Sequence, residues 1–274
     1  MKTIHLRATW YFLFLVLLSF GCTEEEEEPK QYLLTKITHR VGDDRHAGSF
    51  FNGVRTLQYN ANGKLEAFTF NDKNNAAHFT NTFTYTAEGK LETITDAATL
   101  TKFIEVLTYD AQGRIATSKG YAHRNFTYEY GADGKMTAFV NFDGQAIAYA
   151  IVTEFDANGN VVKEEIFKSN SLKTILGKIA SFAYSYDAQK NPLQGLTSPV
   201  NPLFGVPSTY LDFGYTNAAF FYSPNNITKL TIDTNVSGTP TSTTYAFTYE
   251  YNKNGYPTVI RFGQDVMELE YGFL

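Results

Sequence analysis

The chain has 274 residues, room for one large domain, and 16% of them are aromatic. Its formal charge is −5, with 23 basic against 28 acidic residues, which is not the basic balance of a nucleic-acid binder. A single cysteine excludes an internal disulfide.

Residues 1–21 read as a secretion signal rather than as part of the fold. Lys2 and Arg7 form a positive head, and Trp10 to Leu18 is an apolar run too short to span a bilayer comfortably. Gly21 then stands before Cys22, the lone cysteine. This arrangement resembles a bacterial lipobox, which implies cleavage before Cys22 and lipidation, such as palmitate, on it. An ordinary signal peptide with an incidental cysteine is the plainer alternative. Residues 22–31 form an acidic tether: the run Glu24 to Glu28 repels itself, cannot pack and stays solvated. An acidic run directly behind a lipidated cysteine also resembles the surface-export signal of some Gram-negative lipoproteins. That implies a lipid-anchored location on the outer membrane, facing outward, with its periplasmic face as the alternative. Loss of Lys2 and Arg7 leaves 21 basic against 28 acidic residues, a charge of −7.

Residues 32–274 read as one repeat-built β domain. Tyr32 to Ile37 looks like a first strand, and Val41 to Ser49 like a polar loop. From Tyr59 a phrase recurs: Tyr59-Asn-Ala-Asn-Gly63-Lys-Leu65, Tyr85-Thr-Ala-Glu-Gly89-Lys-Leu91, Tyr109-Asp-Ala-Gln-Gly113-Arg-Ile115, Tyr130-Gly-Ala-Asp-Gly134-Lys-Met136 and Phe155-Asp-Ala-Asn-Gly159-Asn-Val161. Looser copies stand at Tyr186 to Lys190 and Tyr251 to Gly255. Asp or Asn opens a type I turn, and Gly three residues later takes the left-handed conformation of a G1 bulge. Each phrase is therefore expected to be a hairpin tip, with Tyr109 and Ile115 facing each other. Lys64, Lys90, Arg114 and Lys135 are expected to point into water. The turn aromatics at 59, 85, 109, 130, 155 and 186 are separated by 26, 24, 21, 25 and 31 residues, two strands per repeat.

Before each turn, alternation is clean. Phe126, Tyr128 and Tyr130 face one way; Thr127 and Glu129 face the other. After the turns it blurs, as at Leu65 to Phe70, which fits a bulge or strands apolar on both faces. Ser169 to Ile179 reads as a loop with one short helix, and Asn191 to Ser208, rich in Pro and Gly, as a long irregular loop. In the degenerate stretch Tyr222 to Leu230, Asn225 or Asn226 is expected to hold a positive-φ position.

Candidate chemistry is sparse. His39, His46, His78 and His123 are isolated, and Asp43-Asp44-Arg45-His46 reads as a solvated loop. Asp156 to Asn160 resembles half a calcium loop but lacks its full register. No nucleophile elbow or phosphate loop is present. The expectation is a protein that is not an enzyme, with no catalytic, metal or cofactor residues, and Cys22 as its one functional position. The aromatic stripe is core, with a minority of tyrosines free to line a ligand cleft.

The turn phrase is similar to the tyrosine–aspartate repeats of Rhs-type shell proteins. The lipobox at Cys22, Leu34-Thr-Lys-Ile37, the Tyr-x-x-x-Gly-Lys-Leu hairpins and Asn225-Asn-Ile-Thr-Lys resemble more closely a family of secreted bacterial lipoproteins of unknown function with a porin-like fold. The resemblance spans about residues 32 to 274 and carries no catalytic residues. The tail Met267 to Phe273 also resembles the closing strand of an outer-membrane barrel. The expectation is an all-β antiparallel meander, closed or nearly closed into a barrel and tethered through Cys22 to the membrane. As partners it has an extracellular ligand such as a glycan, and no nucleic acid. A structural or adhesive surface protein, or a membrane-spanning barrel, is the alternative.

Overall fold

The computed structural model describes residues 31–40, 52–72, 74, 77–97, 102–121, 124–142, 148–170, 172–199, 218–234 and 239–274. The signal, Cys22, the acidic run and the loop at 41–51 lie outside them.

The strands are β1 (Tyr32–Arg40), β2 (Gly53–Tyr59), β3 (Leu65–Asp72), β4 (Ala77–Tyr85), β5 (Leu91–Ala97), β6 (Lys102–Tyr109), β7 (Ile115–Tyr121) and β8 (Arg124–Tyr130). They continue with β9 (Met136–Phe142), β10 (Ala148–Phe155), β11 (Val161–Ser169), β12 (Ile175–Lys190), β13 (Asn225–Thr234), β14 (Thr241–Tyr251), β15 (Pro257–Phe262) and β16 (Asp265–Phe273). A five-residue helix, α1 (Ala218–Tyr222), precedes β13. Every strand pairs antiparallel with its sequence neighbours, and β1 pairs with β16, so the meander closes into a barrel without a free edge. Tyr32 seals the seam: its ring stacks on Tyr271 at 4.9 Å, and its hydroxyl accepts from Asn252 Nδ2 at 2.9 Å.

The turns form as their chemistry dictates. In the third repeat Gly113 N donates to the Asp110 carbonyl, Asp110 N donates to the Arg114 carbonyl, and Asp110 Oδ1 accepts from the Gln112 and Arg114 amides. Gly113 has φ of 80°, and Gly63, Gly89, Gly134, Gly159 and Gly255 share that left-handed region. Tyr109 faces Ile115, as the hairpin reading requires.

A bulge just after the turn explains the blurred alternation. Tyr59 faces Leu65, but Gln58 faces Ala67, so one residue is skipped. Inward positions then fall at Leu65, Phe68 and Phe70, all buried, rather than at every second residue. The same slip puts Leu91 and Ile94, and Pro257 and Ile260, inward. β9 has no slip, and Met136, Ala138 and Val140 alternate strictly.

Three local expectations need correction. Among the described residues of Ser169 to Ile179 there is no helix, and Ile175 to Ile179 already belong to β12. Asn170 Oδ1 caps the Leu172 and Thr174 amides in a tight turn, with Lys173 at φ 60°. Neither Asn225 nor Asn226 has positive φ; Lys173 is the one non-glycine residue with it among the described residues. Both asparagines instead lie in β13. At Lys190 there is no turn at all. The hairpin has opened, and the chain departs into the 191–224 insertion before β13 resumes.

The two faces of the wall differ sharply. The inward face carries one continuous apolar cluster that runs from Leu34 and Ile37 around to Met267 and Leu269. The outward face is polar. Thr82 and Thr84 are exposed while Asn81 and Phe83, which alternate with them, are buried. Outward charges pair across strands, as in Lys36–Glu270 (2.8 Å), Arg40–Glu268 (2.8 Å) and Arg261–Glu250 (2.8 Å). A lipid-facing wall shows the reverse, an apolar outer band between aromatic girdles. Exposed apolar side chains include Ile104 and Val106 on β6, Ile175 and Leu176 on β12, Leu172 in the turn before it, and Phe273 at the end of β16.

Candidate functional site

At one end of the barrel the repeat turns gather, and here the repeated tyrosine shows its use. A turn joins each even strand to the next odd one, but nothing covalent joins the odd strand back to its even neighbour at this end. The tyrosine hydroxyl makes that link. Tyr85 on β4 donates to the Leu65 carbonyl at the start of β3 (2.7 Å), and Tyr109 does the same to Leu91 (2.6 Å). Tyr59, Tyr130, Tyr186, Tyr249 and Tyr271 repeat the bond to Leu34, Ile115, Val161, Ile227 and Pro257. Burial pushes these phenols up, Tyr85 and Tyr109 to about 12, so they stay protonated donors.

The cation after each glycine does not simply point into water, as the sequence suggested. Lys64 Nζ lies over the Tyr85 ring, 5.1 Å from its centroid, and donates to the Gly89 carbonyl. Lys90 lies over Tyr109 at 5.1 Å, and Arg114 over Tyr130 at 3.9 Å. Each turn thus caps the ring of the next repeat with a cation–π contact. Lys135 departs from the pattern: the next aromatic is Phe155, and Lys135 pairs with Glu154 at 2.9 Å instead.

The insertion covers part of this end. Asn191 Nδ2 donates to the carbonyls of Phe220 and Ser223, both at 2.8 Å, and Gly195 N donates to the Phe221 carbonyl, tying residues 191–199 to α1. Tyr222 packs edge-on against Phe155 (5.8 Å), the one repeat position without a hydroxyl. Ser223 Oγ accepts from Val161 N (3.0 Å) and donates to the Tyr186 hydroxyl (2.9 Å). The described part of the cover therefore reaches from Ser198, over Glu105 on β6, to Asn191 beside the start of β13. The expected loop Asn191 to Ser208 is described only as far as 199, and this much is a packed cap rather than an open excursion.

Under the cap lies an acid that the sequence reading passed over. Glu105 is 1% exposed; its carboxylate accepts from Ser118 Oγ (2.6 Å) and from Ser198 Oγ of the insertion (2.9 Å). Burial, against these two hydrogen bonds, pushes its pKa up to about 7. The buried Tyr128 phenol is pushed up as well, by burial first and then by the charges of Glu105, Tyr130 and Glu164. Glu164 is itself buried and accepts from the Tyr184 hydroxyl at 2.7 Å. Counting back by twos from Tyr109 gives Leu107 and then Glu105, so the alternation already marked this carboxylate as inward.

Beside these cap residues, the described residues from Gly63 to Ile115 border a cleft of about 310 Å³. Leu65, Leu91, Leu107 and Ile115 line its base. Tyr85 and Tyr109 with their lysines, and Leu196, Thr197 and Phe221 of the insertion, form its walls. A wider groove of about 450 Å³ on the opposite rim is lined by Lys178, Asp233, Thr241 and neighbours. It borders the connection at 235–238, outside the described residues, and it lacks convergent aromatic or cationic groups. The turn-end cleft is the stronger candidate.

The other residues considered from the sequence do not converge. His39 is buried on β1, 3.5 Å from Asp265 and beside Phe262. His46, His123 and the Asp43–His46 cluster lie outside the described residues, as does the His78 side chain. The oxygens of Asp156 are engaged by its own turn: Oδ1 by the Asn158 and Asn160 amides, Oδ2 by Asn160 Nδ2.

Crystal structures of porin-like proteins from Bacteroides vulgatus and Bacteroides uniformis are similar to this chain at 14% identity each. The first match covers 88% of this chain and 99% of that one, with a TM-score of 0.45; the second covers 87% and 96%, with 0.49. The Photorhabdus luminescens Tc holotoxin pore matches at 16% identity over 77% of this chain and 9% of its own, with a TM-score of 0.30. No protein-family model and no curated protein sequence matches the chain.

Proposed function

We propose that this chain is a non-enzymatic lipoprotein of the outer-membrane surface, anchored through Cys22, that offers its turn-end cleft to an extracellular ligand such as a glycan. The observation that carries the anchoring is the polarity of the wall. Apolar side chains dominate the inside, with a few buried polar groups such as Glu105 and Arg55, and charged pairs such as Lys36–Glu270 and Arg261–Glu250 stand outside. Such a barrel body belongs in water, and a lipid on Cys22 supplies the membrane contact that its wall does not. The spanning alternative would place those charges in hydrocarbon, at a cost of about 2–4 kcal/mol for each midplane Lys or Arg. The non-enzymatic reading rests on the buried acids: Glu105 and Glu164 are held by hydroxyls inside the packed wall, away from the cleft's lining.

The test is Cys22→Ser followed by cell fractionation and high-pH extraction. Release of the protein into the soluble fraction is the expected result. A variant that stays with membranes after extraction would return the spanning barrel to first place. The structural or adhesive alternative is favoured by the filled interior, and a panel of surface glycans tested on the purified mature protein separates it from ligand binding.

A further inference from the structure

Resting on the cleft as a ligand site, we infer that it selects an acidic sugar, one bearing a carboxylate on a pyranose ring. Among the described residues its lining has two cations, Lys64 and Lys90, and no carboxylate, in a protein whose overall charge is negative. Glu88, at the tip of the same turn as Lys90, is fully exposed and draws its own carboxyl down through Thr86 first, with Lys90 a smaller contribution. Glu105 faces Ser118 and Ser198 behind the cleft and is not part of its lining.

The two lysines are held rather than free. Each ammonium sits over a tyrosine ring, and Lys64 also gives one proton to the Gly89 carbonyl. An ammonium has three protons, so both lysines keep donors for an incoming anion. Holding the side chains in advance lowers the ordering cost of binding. Each lysine already occupies one face of its tyrosine, Tyr85 or Tyr109. The apolar surface that remains is Leu196, Phe221 and the leucines of the base, against which the C–H face of a pyranose fits. The volume of about 310 Å³ stands at the small end of ligand pockets and suits one or two sugar units.

Titration calorimetry of the purified mature protein with D-glucuronate and digalacturonate, against methyl glucoside, tests this. Saturable binding of the acidic sugars, weakened by added salt, is expected. Lys64→Gln and Lys90→Gln should each weaken it about tenfold, the loss of one charged hydrogen bond. Lys64→Arg, which keeps the charge and the ring contact, should retain it. Leu196→Trp fills the cleft from the cap without touching the tyrosine ladder and should abolish binding with the fold intact by circular dichroism. Methyl glucoside bound as well as glucuronate, with no effect of the glutamine variants, would overturn the acidic selection and leave the cleft as a glycan site. Binding of acidic sugars that survives Leu196→Trp would place them elsewhere and overturn it too. Failure of every sugar would overturn both this inference and the ligand reading beneath it.

Discussion

The hydroxyl of Tyr85 donates to the backbone carbonyl of Leu65, closing at the turn end a strand pair whose covalent link lies at the far end of the barrel. The bond explains why the repeat uses tyrosine rather than phenylalanine. Tyr85→Phe keeps the ring and its contact with Lys64 but leaves the Leu65 carbonyl without this donor. The expected cost is about 1–2 kcal/mol. Urea unfolding should show a lower midpoint with an unchanged slope. A midpoint equal to wild type would mean that water replaces the hydroxyl freely and that the ladder is incidental.

Gly134 offers a clean measure of the turn's backbone demand. A Cβ at Gly113 would meet the Lys90 ammonium, and one at Gly89 the Lys64 ammonium, so those sites mix two effects. At Gly134 a Cβ meets nothing within 4 Å, and φ is 80°. Gly134→Val should cost about 1–2 kcal/mol from the left-handed conformation alone, and Gly134→Asn much less. Equal thermal stability of the two variants would show that the turn shifts to accommodate a side chain.

The acidic run makes a prediction of its own, since a solvated like-charge segment contributes nothing to packing. Replacement of Glu24 to Glu28 by glutamine should leave the melting temperature of the purified protein unchanged. Lipidation should persist, while protease shaving of intact cells should reach less of the protein. Accessibility equal to wild type would reduce the run to a spacer.

How much was legible depended on whether the signal was local. The turns at Gly63 through Gly159 were readable because their chemistry lies within five residues, and the clean alternation ahead of them fixed an inward face. Repetition of that unit, with the pattern of Met267 to Phe273, pointed to a closed meander. The bulge after each turn hid the inward set Leu65, Phe68 and Phe70, because a period of two fails across it. The lysines were misplaced for a different reason: Lys64 meets Tyr85 only through the sheet, 21 residues on, and no local rule carries that contact. Neither could local pattern show that Asn191 ties down α1, or that the insertion brings Ser198 onto Glu105. The cleft forms between the turn ends of β3 to β7 and Leu196, Thr197 and Phe221 of that insertion, so it exists only in three dimensions.

Glu105 sets a pH dependence whose sign follows from burial. Its carboxyl ionises near 7 in the folded protein against an ordinary 4.5, so the folded state holds this proton more tightly than the unfolded chain does. Between these values the native state binds more protons, and stability falls as pH rises. The contribution is therefore complete below about pH 4.5, is lost progressively up to about 7, and is flat above. The shift corresponds to a loss on the order of 3 kcal/mol across that window. Ser118 and Ser198 donate to the carboxylate and limit the loss, while Tyr128 and Tyr109 remain neutral throughout. Glu105→Gln mimics the protonated acid in shape and removes the titration. Urea unfolding of both proteins at pH 5, 6, 7 and 8 isolates the effect, since all other groups are common to the pair. The wild type should match the variant at pH 5 and fall below it by pH 8. Parallel curves over the whole range would mean that the carboxylate reaches water when it ionises, and that Ser198 does not seal the cap over β6 in solution.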